Sequence, residues 1–134
     1  MIFDLIKTSV KETRTRGERV AAYYDEHRPR IVAVAQALGK LEDKIIRVDV
    51  TAESVDIYIS GDRHVLKAAF GALRRLEYHP DSRPDAKPEP TFSTWFRHPD
   101  HSCKFWLSFS STQCTRVKVG SKMEEVNVYE TVCK

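Results

Sequence analysis

The spacing of the apolar residues changes at Ile45, and that change does most to limit the folds open to this chain. Before it, in RVAAYYDEHRPRIVAVAQALGKL, the residues Val20, Tyr23, Tyr24, Ile31, Val34, Ala35, Leu38 and Leu41 recur every three or four positions, as one stripe on a helix does. After it, IIRVDV and SVDIYIS alternate, so successive side chains must fall on opposite faces of a strand. Pro29 should interrupt the helical stretch, which predicts one helix to about His27 and a second from about Arg28 to Leu38, with Gly39 as its stop. The charged run KETRTRGER, with Gly17 inside it, reads as a weakly packed turn.

In the hairpin that follows, a turn over Thr51 to Ser54 sets Ile46, Val48 and Val50 against Ile59, Ile57 and Val55. The other face then carries Arg47 beside Tyr58 and Asp49 beside Asp56. GDRHVLKAAFGALRRLE reads as an amphipathic helix capped by Asp62, with Val65, Leu66, Ala69, Phe70, Leu73 and Leu76 inward. YHPDSRPDAKPEP holds prolines 80, 84, 88 and 90 and predicts an extended connector without regular structure. Strands are expected at 91–97, 103–110, 115–119 and about 124–132. The expected architecture is α+β: a five- or six-stranded, mostly antiparallel sheet with an amphipathic helix on one face and an N-terminal helical pair. It forms one domain over 1–134, divided into a helical part (1–44), a hairpin plus helix (45–78), a proline-rich connector (79–90) and antiparallel strands (91–134).

At 134 residues the chain can bury a full core without covalent staples. No apolar run nears the roughly 20 residues that span a bilayer, and MIFDLIKTSV lacks the basic start and unbroken apolar core of a signal peptide. An odd number of cysteines, at 103, 114 and 133, argues against a disulfide framework and for reduced thiols. These features predict a cytoplasmic protein that does not enter membranes. A net charge of +3 names no partner by itself.

The stretch TFSTWFRHPDHSCKFWLSFSS, residues 91–111, is where a binding surface can be argued. A loop over Pro99 to Ser102 pairs Phe96 with Phe105 and Phe92 with Phe109 on one face, and Trp95 with Trp106 and Arg97 with Lys104 on the other. In the next strand Val117 and Val119 extend the apolar face, Arg116 and Lys118 the basic one. Arg97 against Lys104 is an opposed pair of like charges, worth up to about 1 kcal/mol of repulsion, which an anionic partner would relieve. Two indoles ringed by cations suit either a protein anchor or a platform for bases. If residues 20–41 pack over this face instead, both tryptophans are core and the surface moves to the helix or the sheet edge.

Other chemistries have less behind them. His98, His101 and Cys103 are zinc-ligand types, but their spacing matches no standard half-site. Asp49 opposite Asp56 could hold a divalent cation, with Arg47 placed to neutralise the pair. Arg63, Lys67 and Arg74 form a secondary basic patch on the helix back that could touch phosphates. There is no glycine-rich phosphate loop, nucleophile elbow or helical zinc motif. Neither a catalytic residue, a metal nor a cofactor is assigned, and the oligomeric state is not set by the sequence.

The C-terminal run FSSTQCTRVKVGSKMEEVNVYETVC resembles the end of small uncharacterised accessory proteins of tailed bacteriophages. The matching positions are Cys114, Thr115, Arg116, Val119, Gly120, Tyr129, Glu130, Val132 and Cys133. The resemblance implies a host cytoplasm and a task of binding and redirecting a host macromolecule. The expected function is therefore a non-enzymatic accessory protein that binds a host protein, as an inhibitor or anti-defence factor, through Trp95, Trp106, Tyr58, Arg97, Lys104, Arg116 and Lys118. A single-stranded nucleic-acid binder using the same face is the alternative, and a metal-dependent enzyme built on Asp49 and Asp56 or on His98 and His101 is a further one.

Overall fold

The computed structural model describes residues 2–85, 89–121 and 127–133, with residues 3, 13, 115–121 and 127–130 in backbone alone. Helix α1 spans Ile2–Ala37, and a 3-10 helix follows at Gly39–Lys44. Strands β1 (Ile45–Val50) and β2 (Val55–Gly61) form a hairpin, and helix α2 runs over Arg63–Arg75. The rest is strand: β3 (His79–Pro80), β4 (Thr91–His98), β5 (His101–Ser111), β6 (Cys114–Ser121) and β7 (Asn127–Cys133).

The N-terminal helical pair divides at Leu38 and Gly39, not at Pro29, which sits inside α1. A proline within a helix costs about 3 kcal/mol. Here the apolar stripe keeps its phase on both sides of it: Tyr23 and His27 before, Val34 and Leu38 after, all buried. At about 1.5–3 kcal/mol for each large apolar side chain buried, Val34 and Leu38 outweigh the lost hydrogen bond. KETRTRGER is likewise helical and not a turn. One glycine costs about 1 kcal/mol in a helix, and the Thr15 hydroxyl bonds back to the Lys11 carbonyl at 2.9 Å.

Five strands form one sheet in the order β1-β2-β5-β4-β3, antiparallel except for the parallel pair β2 and β5. Asp62 caps α2, its carboxylate accepting from the Val65 N–H at 3.1 Å. Gly61, just before the cap, lies so close to Val65 that a Cβ there would meet Val65 Cγ2 at 2.6 Å. Helix α2 ends with Glu77 in the left-handed region (φ 69°). There the Glu77 and Tyr78 N–H groups close on the Arg74 and Leu73 carbonyls.

Both helices pack on the same sheet face. Tyr23, Val34 and Leu38 of α1 and Leu66, Ala69, Ala72 and Leu73 of α2 share one core with Val55, Ile57, Ile59, Phe96, Phe105, Leu107 and Phe109. The N-terminal end of α1 leaves Ile2, Leu5, Ile6 and Val10 exposed.

Three strand expectations need correction. Ile59 pairs with Ile45, because a bulge between Ile45 and Arg47 makes Ile46 the extra residue. The proline-rich connector contributes a two-residue strand at its start, where His79 and Pro80 pair with Arg97 and Phe96 on the sheet edge. Strand β6 does not continue the sheet, since β5 spends its second edge on β2, and β6 pairs instead with β7. That hairpin sets Cys114 opposite Cys133, and the two form a disulfide, leaving buried Cys103 as the free thiol. With Cys114 bonded to Cys133, the odd cysteine count does not imply reduced thiols. Among the described residues no helix is long and apolar enough to cross a membrane.

Candidate functional site: an open aromatic sheet face

Alternation along β4 and β5 puts Trp95 and Trp106 on the face away from the phenylalanines. They lie directly opposite each other, as Phe96 lies opposite Phe105. Their ring centroids are 5.0 Å apart at an interplanar angle of 60°, within the range where tilted aromatic pairs attract. Both helices belong to the other side, so the indoles are half-buried by neighbours on their own face. Lys104 Nζ stands 4.4 Å from the Trp95 ring centre and the Arg97 guanidinium 5.7 Å. The Arg47 guanidinium covers Tyr58 at 4.2 Å, an example of cation–π packing repeated across one surface. Between the two aromatic groups, Ser93 donates to Ser108 at 3.1 Å.

The expected Arg97–Lys104 opposition is not made. His98 pairs with His101 around a two-residue turn, Pro99 and Asp100, and the ladder slips between Phe96 and His98. Arg97 registers with His79 and bonds both carboxylate oxygens of Asp81 through Nε, at 3.0 and 3.2 Å. Arg47 Nε meets Asp49 at 3.0 Å, and Asp56, opposite Asp49 and beside Trp106, accepts from the Ser54 hydroxyl at 2.8 Å. Two of the three cations here are thus ion-paired, Arg47 with Asp49 and Arg97 with Asp81, while Lys104 lies over Trp95 and Asp56 is bonded by Ser54. With three carboxylates to three cations, the charge of this part of the surface is balanced. Arg116 and Lys118 stand opposite Thr131 and Tyr129 in the separate hairpin, and their side chains lie outside the described residues.

The secondary basic patch is assembled. Arg63, Lys67 and Arg74 line a cleft of about 460 Å³ with Arg83, over a floor of Phe70, Phe92 and Phe109. Asp85 and Glu89 line it too, and the hydrogen bond that protonated Glu89 donates to the Asp85 carboxylate holds the Glu89 carboxyl above its ordinary pKa.

Sequence reasoning missed a cluster at the end of the covered face. The Tyr23 hydroxyl bonds Cys103 Sγ at 3.6 Å and accepts from the Lys104 N–H at 3.2 Å. His27, fully buried, packs its ring on Tyr23 at 4.6 Å and meets Arg30 at 3.2 Å through Nδ1. Tyr78 Oη lies 3.4 Å from His101 Nε2, and His101 stacks on His98 at 4.1 Å. Burial pushes the Tyr23 and Tyr78 hydroxyls and the Cys103 thiol up, and it pushes His101 down, helped by Arg30 and His98. Every shift favours the neutral form, the opposite of what activates a nucleophile. The i, i+4 spacing of Tyr23 and His27 on the α1 stripe was the visible trace of this cluster.

The expected zinc-ligand set of His98, His101 and Cys103 is not the one brought together: among the described residues the possible ligand atoms that converge, within 4.8 Å of one another, are those of Glu77, His98 and Asp100. His98 Nδ1 accepts from the Asp100 N–H at 3.1 Å, which places the ring proton on Nε2, 3.6 Å from Glu77. His101 Nδ1 accepts from the Cys103 N–H at 3.3 Å, turning Nε2 to Tyr78.

Comparison with known protein families, with curated proteins and with solved structures returned no match.

Proposed function

We propose that this protein is a non-enzymatic binding module that docks a protein partner on the open sheet face, with Trp95 and Trp106 as anchors. The observation that carries the reading is the tryptophan pair on the helix-free face, framed by Lys104, the Arg97–Asp81 pair and the Arg47–Tyr58 stack. Interface hot spots are enriched in tryptophan, tyrosine and arginine and are ringed by polar groups that exclude water. Fixed ion pairs at the rim set orientation and add little affinity. Joined to the C-terminal resemblance, the reading becomes that of a phage accessory protein acting on a host protein, as an inhibitor or anti-defence factor.

The indoles alone would also suit stacked bases, but a nucleic-acid groove must track phosphates with unpaired cations. Asp81 and Asp49 already hold Arg97 and Arg47. The test is capture of partners from host lysate by the intact protein and by a folded Trp95→Ala, Trp106→Ala double variant. The expected outcome is a partner whose affinity falls on the order of 30-fold or more in the variant, the size of a hot-spot loss, with no oligonucleotide shift at low salt. A folded double variant that keeps every partner refutes the assignment of this face.

A further inference from the structure

Strand β1 ends the sheet on one side, with β2 on its inner flank and no strand on its outer one among the described residues. The Thr51 N–H donates to the Ser54 carbonyl at 2.9 Å, so Thr51 and Ser54 are a hydrogen-bonded pair. Bonded and non-bonded pairs alternate along an antiparallel ladder. With Arg47 to Val50 in register with Tyr58 to Val55, Arg47 and Asp49 spend their backbone groups on β2, while those of Val48 and Val50 point outward. The same edge exposes Ile46 and Val48, at 66% and 52%. Natural edges are blunted by charged side chains, proline or bulges; this strand has a bulge at Ile46 and two charges, Arg47 and Asp49, which are of opposite sign and so can satisfy each other across an antiparallel pair.

We propose that β1 pairs antiparallel with β1 of a second copy, in a register centred on Val48, to make one continuous sheet across a two-fold axis. Residues opposite each other in such a ladder share a face, so the possible centres are Arg47, Val48 or Asp49. Centring on Arg47 sets it against its own copy, and centring on Asp49 does the same for the carboxylate; like charges opposed this way destabilise. Centring on Val48 places Arg47 opposite Asp49 of the second copy twice over. It also lets the outward groups of Val48 bond each other and sets Ile46 against Val50. Ile46 and Val48 border an apolar groove of about 520 Å³ with Ile31, Val34 and Leu38, which receives the second copy's Ile46 and Val50. Because the axis stands perpendicular to the sheet, both tryptophan faces point the same way.

The experiment is the mass of the full chain in solution by light scattering and sedimentation over a concentration series. A doubling of mass as concentration rises is expected. Val48→Pro removes the outward N–H that β2 does not use, a substitution an edge tolerates, and yields monomer. Arg47→Asp also yields monomer, by opposing two carboxylates, and adding Asp49→Arg to it restores the dimer. A wild type that stays monomeric into the sub-millimolar range overturns the proposal. So does a dimer that survives Arg47→Asp, a double swap that fails to restore it, or an edge that accepts only a strand of a different protein. Mass in solution reads the edge and partner capture reads the tryptophan face; because Arg47→Asp also removes the Arg47–Tyr58 stack that frames that face, partner capture is run with Arg47 intact, and the two tests fail separately.

Discussion

Phe96 faces Phe105 across β4 and β5, and one residue away on each strand Trp95 faces Trp106. The two pairs share a ladder and differ in what lies above them. The phenylalanines are sealed under α1 and α2, at 0% and 1% exposure, with Phe70 of α2 edge-on to Phe96 at 4.9 Å. Over the tryptophans, the ring and cation contacts among the described residues are with each other, Lys104 and Arg97. A strand that places large aromatics on both faces has more apolar area than its helices can cover. The surplus on this sheet is concentrated where rings, stems of cations and matched carboxylates can hold one geometry without a cover.

The comparison breaks first at its largest difference. Phe105→Ala removes a fully buried ring and leaves a cavity, at an expected cost of about 3–5 kcal/mol. Trp106→Ala removes a half-buried ring with one aromatic partner, at an expected cost of about 1–2 kcal/mol. Urea unfolding of the two variants measures both. Equal losses would show that the tryptophan face is a second core and not a surface.

The covered face is not uniformly apolar, and its polar end sharpens the contrast. Tyr23 brings a hydroxyl from α1 to Cys103 Sγ and the Lys104 N–H. Tyr23→Phe keeps the ring and strands that N–H, which costs about 1–3 kcal/mol where the site is dry. Urea unfolding measures the loss, and faster hydrogen exchange at the Lys104 amide localises it. An unchanged amide would mean that water reaches the site.

Much of this was readable before folding. The hairpin registers from Arg47 to Val50 and from Phe92 to Phe96 follow from alternation and a turn, because a slip of one residue would turn every apolar side chain to water. The faces of Trp95 and Trp106 follow from the same rule. What could not be read is non-local. Pro29 is tolerated because of burial on both sides of it, which local propensity does not contain. The pairing of Arg97 with Asp81 depends on a bulge and on a connector returning to the sheet edge. The parallel contact of β2 with β5, which turns β6 away with Arg116, is chosen among edges that the sequence leaves equivalent. The Tyr23, His27, Tyr78, His101 and Cys103 cluster joins α1, the end of α2 and β5, three segments with no shared pattern.

The smallest expected effect concerns protons at that cluster. His101 sits among Arg30, His98 and His27, with Asp100 as the opposing charge, and burial is the largest force holding it neutral. Its folded pKa therefore lies below the ordinary value of about 6.5. Between the two values the unfolded chain binds a proton that the folded chain refuses, so stability must rise with pH there. The stabilising contribution is full above pH about 6.5 and is lost as pH falls through the folded pKa. Unfolding followed from pH 7 to pH 5 should show stability dropping with acid, and His101→Gln should flatten the part of that slope due to this ring. The open face holds its shape by ion pairs and stacked rings. Trp95 and Trp106 fluorescence should therefore stay constant over the same window while the protein remains folded. A folded protein whose indole signal tracked the acid loss would tie the two faces together as one cooperative unit at their shared strand β5, and the division between core and surface would then lie elsewhere.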